Sequence, residues 1–162
     1  MKQAMEDRQE RALLVSCLRA GRDEQRMRLS LEELAELART AGVAGEGVFT
    51  QRRESVDAAW YLGRGKIAEI AQAAAEQAVD LVIFNDELSP TQKRNLESLI
   101  ACKVIDRTQL ILDIFASRAH SREGKLQVEL AQYRYLLPRL GGQGSQLSRL
   151  GGGIGTRGPG ET

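Results

Sequence analysis

Four short apolar runs recur along the first two thirds of the chain, each separated from the next by a segment long enough to be a helix. They are Arg11–Arg19 (RALLVSCLR), Gly47–Arg53 (GVFTQRR), Asp80–Phe84 (DLVIF) and Cys102–Ile105 (CKVI). Runs of this length, rich in Val, Ile, Leu and Phe, read as buried strands. The intervals carry helix signals. Ser30 and Glu33 form a capping-box pattern, followed by an apolar face of Leu31, Leu34, Ala35, Leu37 and Ala38 that ends near Gly42. Lys66–Ala78 is alanine-rich, with Ile67, Ile70, Ala71, Ala74 and Ala78 at helical spacing. Ser89 suits an N-cap, with Pro90 at the first helical position and Gln92 placed to close the box. Parallel strands need crossovers of this length, so the order β-α-β-α-β-α-β predicts an α/β fold: a mostly parallel four-stranded sheet with flanking helices.

After Ile105 the pattern becomes purely helical. Asp106 is placed to cap a helix carrying Leu110, Ile111, Ile114 and Phe115. Beyond Gly124, the residues Leu126, Leu130, Tyr133, Leu137 and Leu140 are spaced 4, 3, 4, 3. That is a coiled-coil-like seam too short to stand alone, so it either pairs with another helix or packs on the α/β core. Nine glycines then fall between residues 141 and 160, too many for an uninterrupted helix or strand. The chain closes on Pro159-Gly160-Glu161-Thr162, which reads as a helix just beginning and suggests a truncated parent. The expected organisation is an α/β subdomain over 1–105, a helical subdomain over 106–140 and a glycine-rich tip or linker over 141–162.

Charge separates these parts. The whole chain has 23 Lys+Arg against 22 Asp+Glu, which argues against bulk attraction to nucleic acid or membranes. Residues 1–117, however, carry a net −3 and residues 118–162 a net +4. Arg118, Arg122, Lys125, Arg134, Arg139, Arg149 and Arg157 supply the positive charge. Guanidinium groups among flexible glycines suit phosphate contact, although a polar linker has the same composition. Cys17 and Cys102, far apart and in apolar settings, read as reduced buried thiols, and the lone His120 has no cysteine partner for a zinc site. With no signal-like h-region and no run of about 18 apolar residues, a cytoplasmic chain without a membrane span is expected.

The remaining motifs are weak. Gly153-Ile154-Gly155-Thr156-Arg157-Gly158 matches G-x-G-x-x-G but lacks the strand and the following helix of a dinucleotide fold. Gly63-Arg64-Gly65-Lys66 has the chemistry of a phosphate cradle, but Trp60 and Ile67 stand where a Walker A loop requires Gly and Ser or Thr. It reads as a glycine turn entering a helix, with nucleotide binding through Gly63, Gly65 and Lys66 as the alternative. Asn85-Asp86-Glu87 follows a strand at the edge where α/β proteins place ligands. Its carboxylates could serve Mg²⁺ or acid–base chemistry, or simply favour the next helix N-terminus. No catalytic set emerges.

Taken together, several blocks resemble the HflX family of GTPases. They are Gly63–Lys66, Phe84–Glu97 (FNDELSPTQKRNLE), Asp106–Ala116 (DRTQLILDIFA), Ser121–Gln132 (SREGKLQVELAQ), Leu137–Leu140 (LPRL) and Gly151–Thr162 (GGGIGTRGPGET). The resemblance is strong from about residue 60 onward and implies the region preceding a Ras-like G domain. It implies no cofactor in this chain, GTP and magnesium being bound by the absent G domain. It also implies that a later helix pairs antiparallel with the Leu126–Leu140 seam, which without that helix would be exposed, rearranged or buried by self-association. The implied partner is the large ribosomal subunit and its ribosomal RNA, with splitting or rescue of stalled ribosomes. Arg149 and Arg157 in the tip, Arg139 at its base and the glycines Gly151, Gly152 and Gly153 are then the candidate RNA contacts. Two other readings stay open: an ATP-binding, RNA-remodelling α/β domain, and a structural regulator of the adjoining G domain.

Overall fold

The computed structural model describes residues 9–140. Its elements are β1 (Glu10–Arg19), α1 (Glu24–Thr40), β2 (Val43–Arg53), α2 (Arg64–Gln77), β3 (Leu81–Phe84), α3 (Pro90–Leu99), β4 (Lys103–Asp106), α4 (Arg107–Arg118) and α5 (Arg122–Leu136), followed by a 3-10 turn (Leu137–Arg139). The four strands form one sheet in the order β2-β1-β3-β4, and every adjacent pair is parallel. The expected α/β architecture is what the chain adopts.

Alternation along the strands divides the core in two. Leu13, Val15, Cys17, Val82, Phe84 and Val104 face α2 and α3, meeting Ile67, Ile70, Ala74 and Leu96. Ala12, Leu14, Leu81, Ile83 and Ile105 face the other way, towards Leu34 and Ala38 of α1 and Leu110 and Ile114 of α4. Central strands covered on both faces lose their polar alternation, which is why β1 and β3 read as continuous apolar runs. Each Val, Leu, Ile or Phe among them contributes roughly 1.5–3 kcal/mol relative to exposure.

Three boundaries differ from expectation. Helix α1 starts at Glu24, not at Ser30, because the Asp23 carboxylate accepts from the Gln25 and Arg26 amides and caps it seven residues earlier. Strand β2 starts at Val43 and not Gly47, because its register with β1 shifts between Ala12 and Leu13. The extra residue there is Glu46, and such a bulge breaks the periodicity that would otherwise announce the strand. Helix α2 begins at Arg64, with Gly63 as its N-cap. The remaining capping signals are as expected: Ser89 and Gln92 close a capping box, and the Asp106 carboxylate accepts from the Gln109 amide.

Strand β4 is a free edge, and the chain protects it. The Lys93 ammonium, buried at the inner end of α3, donates to the Val104 carbonyl at 3.0 Å and to Gln109 Oε1 at 3.3 Å. A lysine on an edge carbonyl discourages further strand pairing. Burial lowers the Lys93 pKa, with Glu97 and Asp106 opposing that shift.

The Leu126–Leu140 seam does not pack on the α/β core. Leu126, Leu130 and Leu137 are 57%, 49% and 54% exposed, and the buried residue of α5 is Leu136, on another face. No helix of the described residues is long and apolar enough to cross a membrane. Cys17 is buried and Cys102 half-buried, both free thiols.

Candidate functional site

In a parallel sheet the strand carboxyl ends form the ligand-facing edge, and the crevice lies where successive crossovers leave in opposite directions. Here that point is between β1 and β3, since α1 leads to β2 on one side and α2 to β3 on the other. The loop after β3, Asn85 to Leu88, occupies it.

Every residue of this loop is tied to other parts of the fold. Asn85 Nδ2 donates to Ser16 Oγ of β1 at 3.3 Å and to Ser30 Oγ of α1 at 3.0 Å. Its Oδ1 accepts from Arg107 at 3.0 Å, and the same guanidinium reaches Glu33 at 3.0 Å. Ser30 is therefore a connector inside α1 and not its cap. Asp86 accepts from the Tyr61 hydroxyl and pairs with Arg19 at 3.4 Å. Tyr61 holds its place with a left-handed backbone at φ 68°, and its hydroxyl oxygen accepts from the Cys17 amide at 3.0 Å. Burial and the neighbouring Asp86 carboxylate push the phenol pKa well above the ordinary tyrosine range. Burial likewise raises the Cys17 thiol, so it is a poor nucleophile.

Glu87 and Leu88 face the start of α4 and the 3-10 turn after α5. Glu87 accepts from Thr108 Oγ1 at 3.3 Å and pairs with Arg139 at 3.6 Å. The Leu88 amide donates to Asp106 Oδ2 at 2.8 Å, and the Leu88 carbonyl accepts from Arg139 Nε at 3.0 Å. The Tyr135 hydroxyl also donates to Asp106. Burial, then the Asp106 carboxylate, raises the Tyr135 phenol well above its ordinary range. The carboxylates singled out for metal or acid–base work are thus engaged by neighbours within the fold. Among the described residues no group of three His, Cys, Asp or Glu side chains could hold a metal.

The Gly63–Lys66 turn is similarly committed. The Gly63 amide donates to Gln51 Oε1 at 2.8 Å. Lys66 pairs with Glu69 at 3.3 Å and lies 5.8 Å from the Phe49 ring, while Arg64 stacks 5.1 Å over Trp60. Of the candidate RNA contacts, Arg139 is described and is mostly buried. Its side chain is 11% exposed, its guanidinium sits 3.7 Å over the Tyr135 ring, and Nη1 donates to the Tyr135 carbonyl at 2.7 Å. Arg149, Arg157, Gly151, Gly152 and Gly153 lie outside the described residues, as do the G-x-G-x-x-G match and the closing Pro-Gly-Glu-Thr. His120 is exposed between α4 and α5.

The sequence reading missed Tyr61, Arg107 and Tyr135. Tyr61 was hidden by its loop, and Tyr135 lies off the leucine seam. The one available signal was the scarcity of aromatics, 4% of the chain, which makes each buried ring worth a partner search.

Residues 28–116 match the family described as GTP-binding GTPase N-terminal, and residues 118–162 match GTP-binding GTPase Middle Region. The chain is 58% identical over 153 residues to the GTPase HflX of Alkalihalophilus pseudofirmus, covering 94% of this chain and 36% of that protein. It is 56% identical over 153 residues to the GTPase HflX of Caldanaerobacter subterraneus, with 94% and 35% covered. The chain therefore spans about a third of the length of these relatives. A GTP-binding protein from the archaeon Sulfolobus solfataricus, solved with GDP, shares the fold with a TM-score of 0.58 and 24% identity over 80% of this chain and 38% of that one.

Proposed function

The chain belongs to the HflX family of GTPases as its N-terminal part, and we propose that it serves there as a non-catalytic region that binds the large ribosomal subunit. The observation that carries this reading is the positive, arginine-bearing, glycine-rich stretch that falls inside the matched middle region. Arg149 and Arg157 engage ribosomal RNA phosphates, and Gly151, Gly152 and Gly153 let backbone amides approach closely. In the whole protein, GTP hydrolysis with magnesium falls to the G domain, and RNA binding energy is used to split or rescue stalled ribosomes in the cytoplasm. The exposed Leu126, Leu130 and Leu137 are the face against which a further helix of the whole protein packs. Loop carboxylates and a turn lysine that are all engaged internally support a binding role over an enzymatic one.

The test is cosedimentation of the chain with purified large ribosomal subunits across a salt series. Binding should weaken with salt and be lost in the Arg149→Glu/Arg157→Glu double variant. Retention of full binding by that folded variant would remove the tip from recognition. A parallel ATP-binding assay with Lys66→Ala addresses the nucleotide alternative, which gains support only if wild type binds and the variant does not.

A further inference from the structure

Helix α5 and the 3-10 turn after it carry the chain towards Leu140, and little of the helix is fully buried. Of its fifteen residues, Leu136 is the buried one, and its leucine seam faces solvent. Beneath its C-terminal end lies a cavity of about 570 Å³, lined in part by Lys93, Leu99, Leu136, Arg139 and Leu140. Apolar packing thus leaves room under the turn that hands the chain on to residue 141.

What ties this end down is a set of converging hydrogen bonds. Asp106, at the junction of β4 and α4, accepts from the Leu88 amide, the Gln109 amide and the Tyr135 hydroxyl. Arg139 binds the Leu88 carbonyl, the Tyr135 carbonyl and Glu87, and its guanidinium carbon lies over the Tyr135 ring. The two side chains therefore grip one loop residue from both sides: Leu88 donates to Asp106 and accepts from Arg139. A planar guanidinium with directed donors and a stacked face specifies orientation in a way that a lysine could not.

We propose that Asp106, Tyr135 and Arg139, closed on the backbone of Leu88, form a positioning clamp. It sets the direction in which α5 delivers the glycine-rich segment relative to the α/β sheet. The clamp makes Arg139 a positioning residue. Its consequence for ribosome binding rests on the function proposed above; its geometry does not.

Two measurements on the 162-residue chain separate these levels. In the first, amide residual dipolar couplings are recorded for wild type, Tyr135→Phe and Arg139→Ala. Wild-type α5 and the sheet should fit one alignment frame. In both variants the sheet couplings should persist while those of α5 shrink, because the helix samples several orientations. Tyr135→Phe removes a single oxygen, so it keeps the experiment decisive even if Arg139→Ala fails to fold. Unreduced α5 couplings in a single frame for Tyr135→Phe would overturn the clamp.

In the second, affinity for large ribosomal subunits is followed against salt. If loss of the clamp leaves about a tenth of molecules correctly oriented, Arg139→Ala weakens apparent affinity about tenfold with an unchanged slope of log affinity on log salt. A slope reduced by about 0.7–0.9, the signature of one lost phosphate contact, would overturn the positioning assignment. Failure of wild type to bind subunits at all would sink the proposed function, while the couplings would still decide the clamp.

Discussion

Two tyrosines, Tyr61 buried and Tyr135 half-buried, make the fold sensitive to alkali, and the sign follows from where their protons sit. Tyr61 and Tyr135 both ionise far less readily in the folded chain than at the ordinary value of 10.0, first because they are buried and then because each faces a carboxylate. Below about pH 10 the phenols are neutral whether the chain is folded or not, so their contribution is fully present. Above it, the unfolded chain releases protons that the folded chain retains, and stability falls as pH rises. Lys93 and Lys103 act in the opposite sense. Burial lowers both, so each adds stability as pH rises from its lowered value towards about 10.5. Urea unfolding at a series of pH values around 10 should show a decline in wild type that is shallower in Tyr61→Phe. Equal declines in the two proteins would mean that this phenol does not govern alkaline unfolding. Arg139 is the instructive residue for sequence reading. Its charge and position beside the glycines suggested RNA contact, while its actual partners lie 4 residues before it and 51 to 52 residues before it.

Among the elements, legibility tracked how local the determinant was. The Ser89–Gln92 box and the Asp106 cap act within four residues, and both are where their spacing puts them. Helix α1 was misplaced at its start because two candidate caps preceded one apolar face. Asp23 captures the free amides, while Ser30 Oγ accepts from Asn85 and from Arg107, residues 55 and 77 positions away. Asp23→Ala should therefore destabilise the chain by about 1 kcal/mol through loss of the cap. Thermal or chemical unfolding measures it, and an unchanged midpoint would return the helix start to Ser30. Strand β2 was legible only in its second half, because the bulge opposite Ala12 and Leu13 reverses the inside–outside alternation on which strand recognition depends.

At the scale of the whole molecule, α5 presents exposed leucines among the described residues. Leu126 and Leu130 of α5 and Leu137 of the turn after it are exposed, and an apolar strip of that kind favours association. Sedimentation should show the 162-residue chain self-associating with rising concentration, and Leu126→Gln/Leu130→Gln should shift it to monomer at equal loading. A wild-type chain that stays monomeric at high concentration would leave the strip reserved for another helix. The order of strands and helices and most of the expected caps were determined by the sequence alone, because periodicity and capping act over one or two turns of chain, whereas Phe115, read as part of an apolar face, is exposed. Tertiary structure decided the rest: the leucine seam faces outward, Arg139 closes on Leu88, and the side chains of the loop after β3 bridge neighbouring elements. Those outcomes depend on partners separated by tens of residues, and a polar side chain's role is set by which donors and acceptors the folded sheet brings within hydrogen-bonding distance of it.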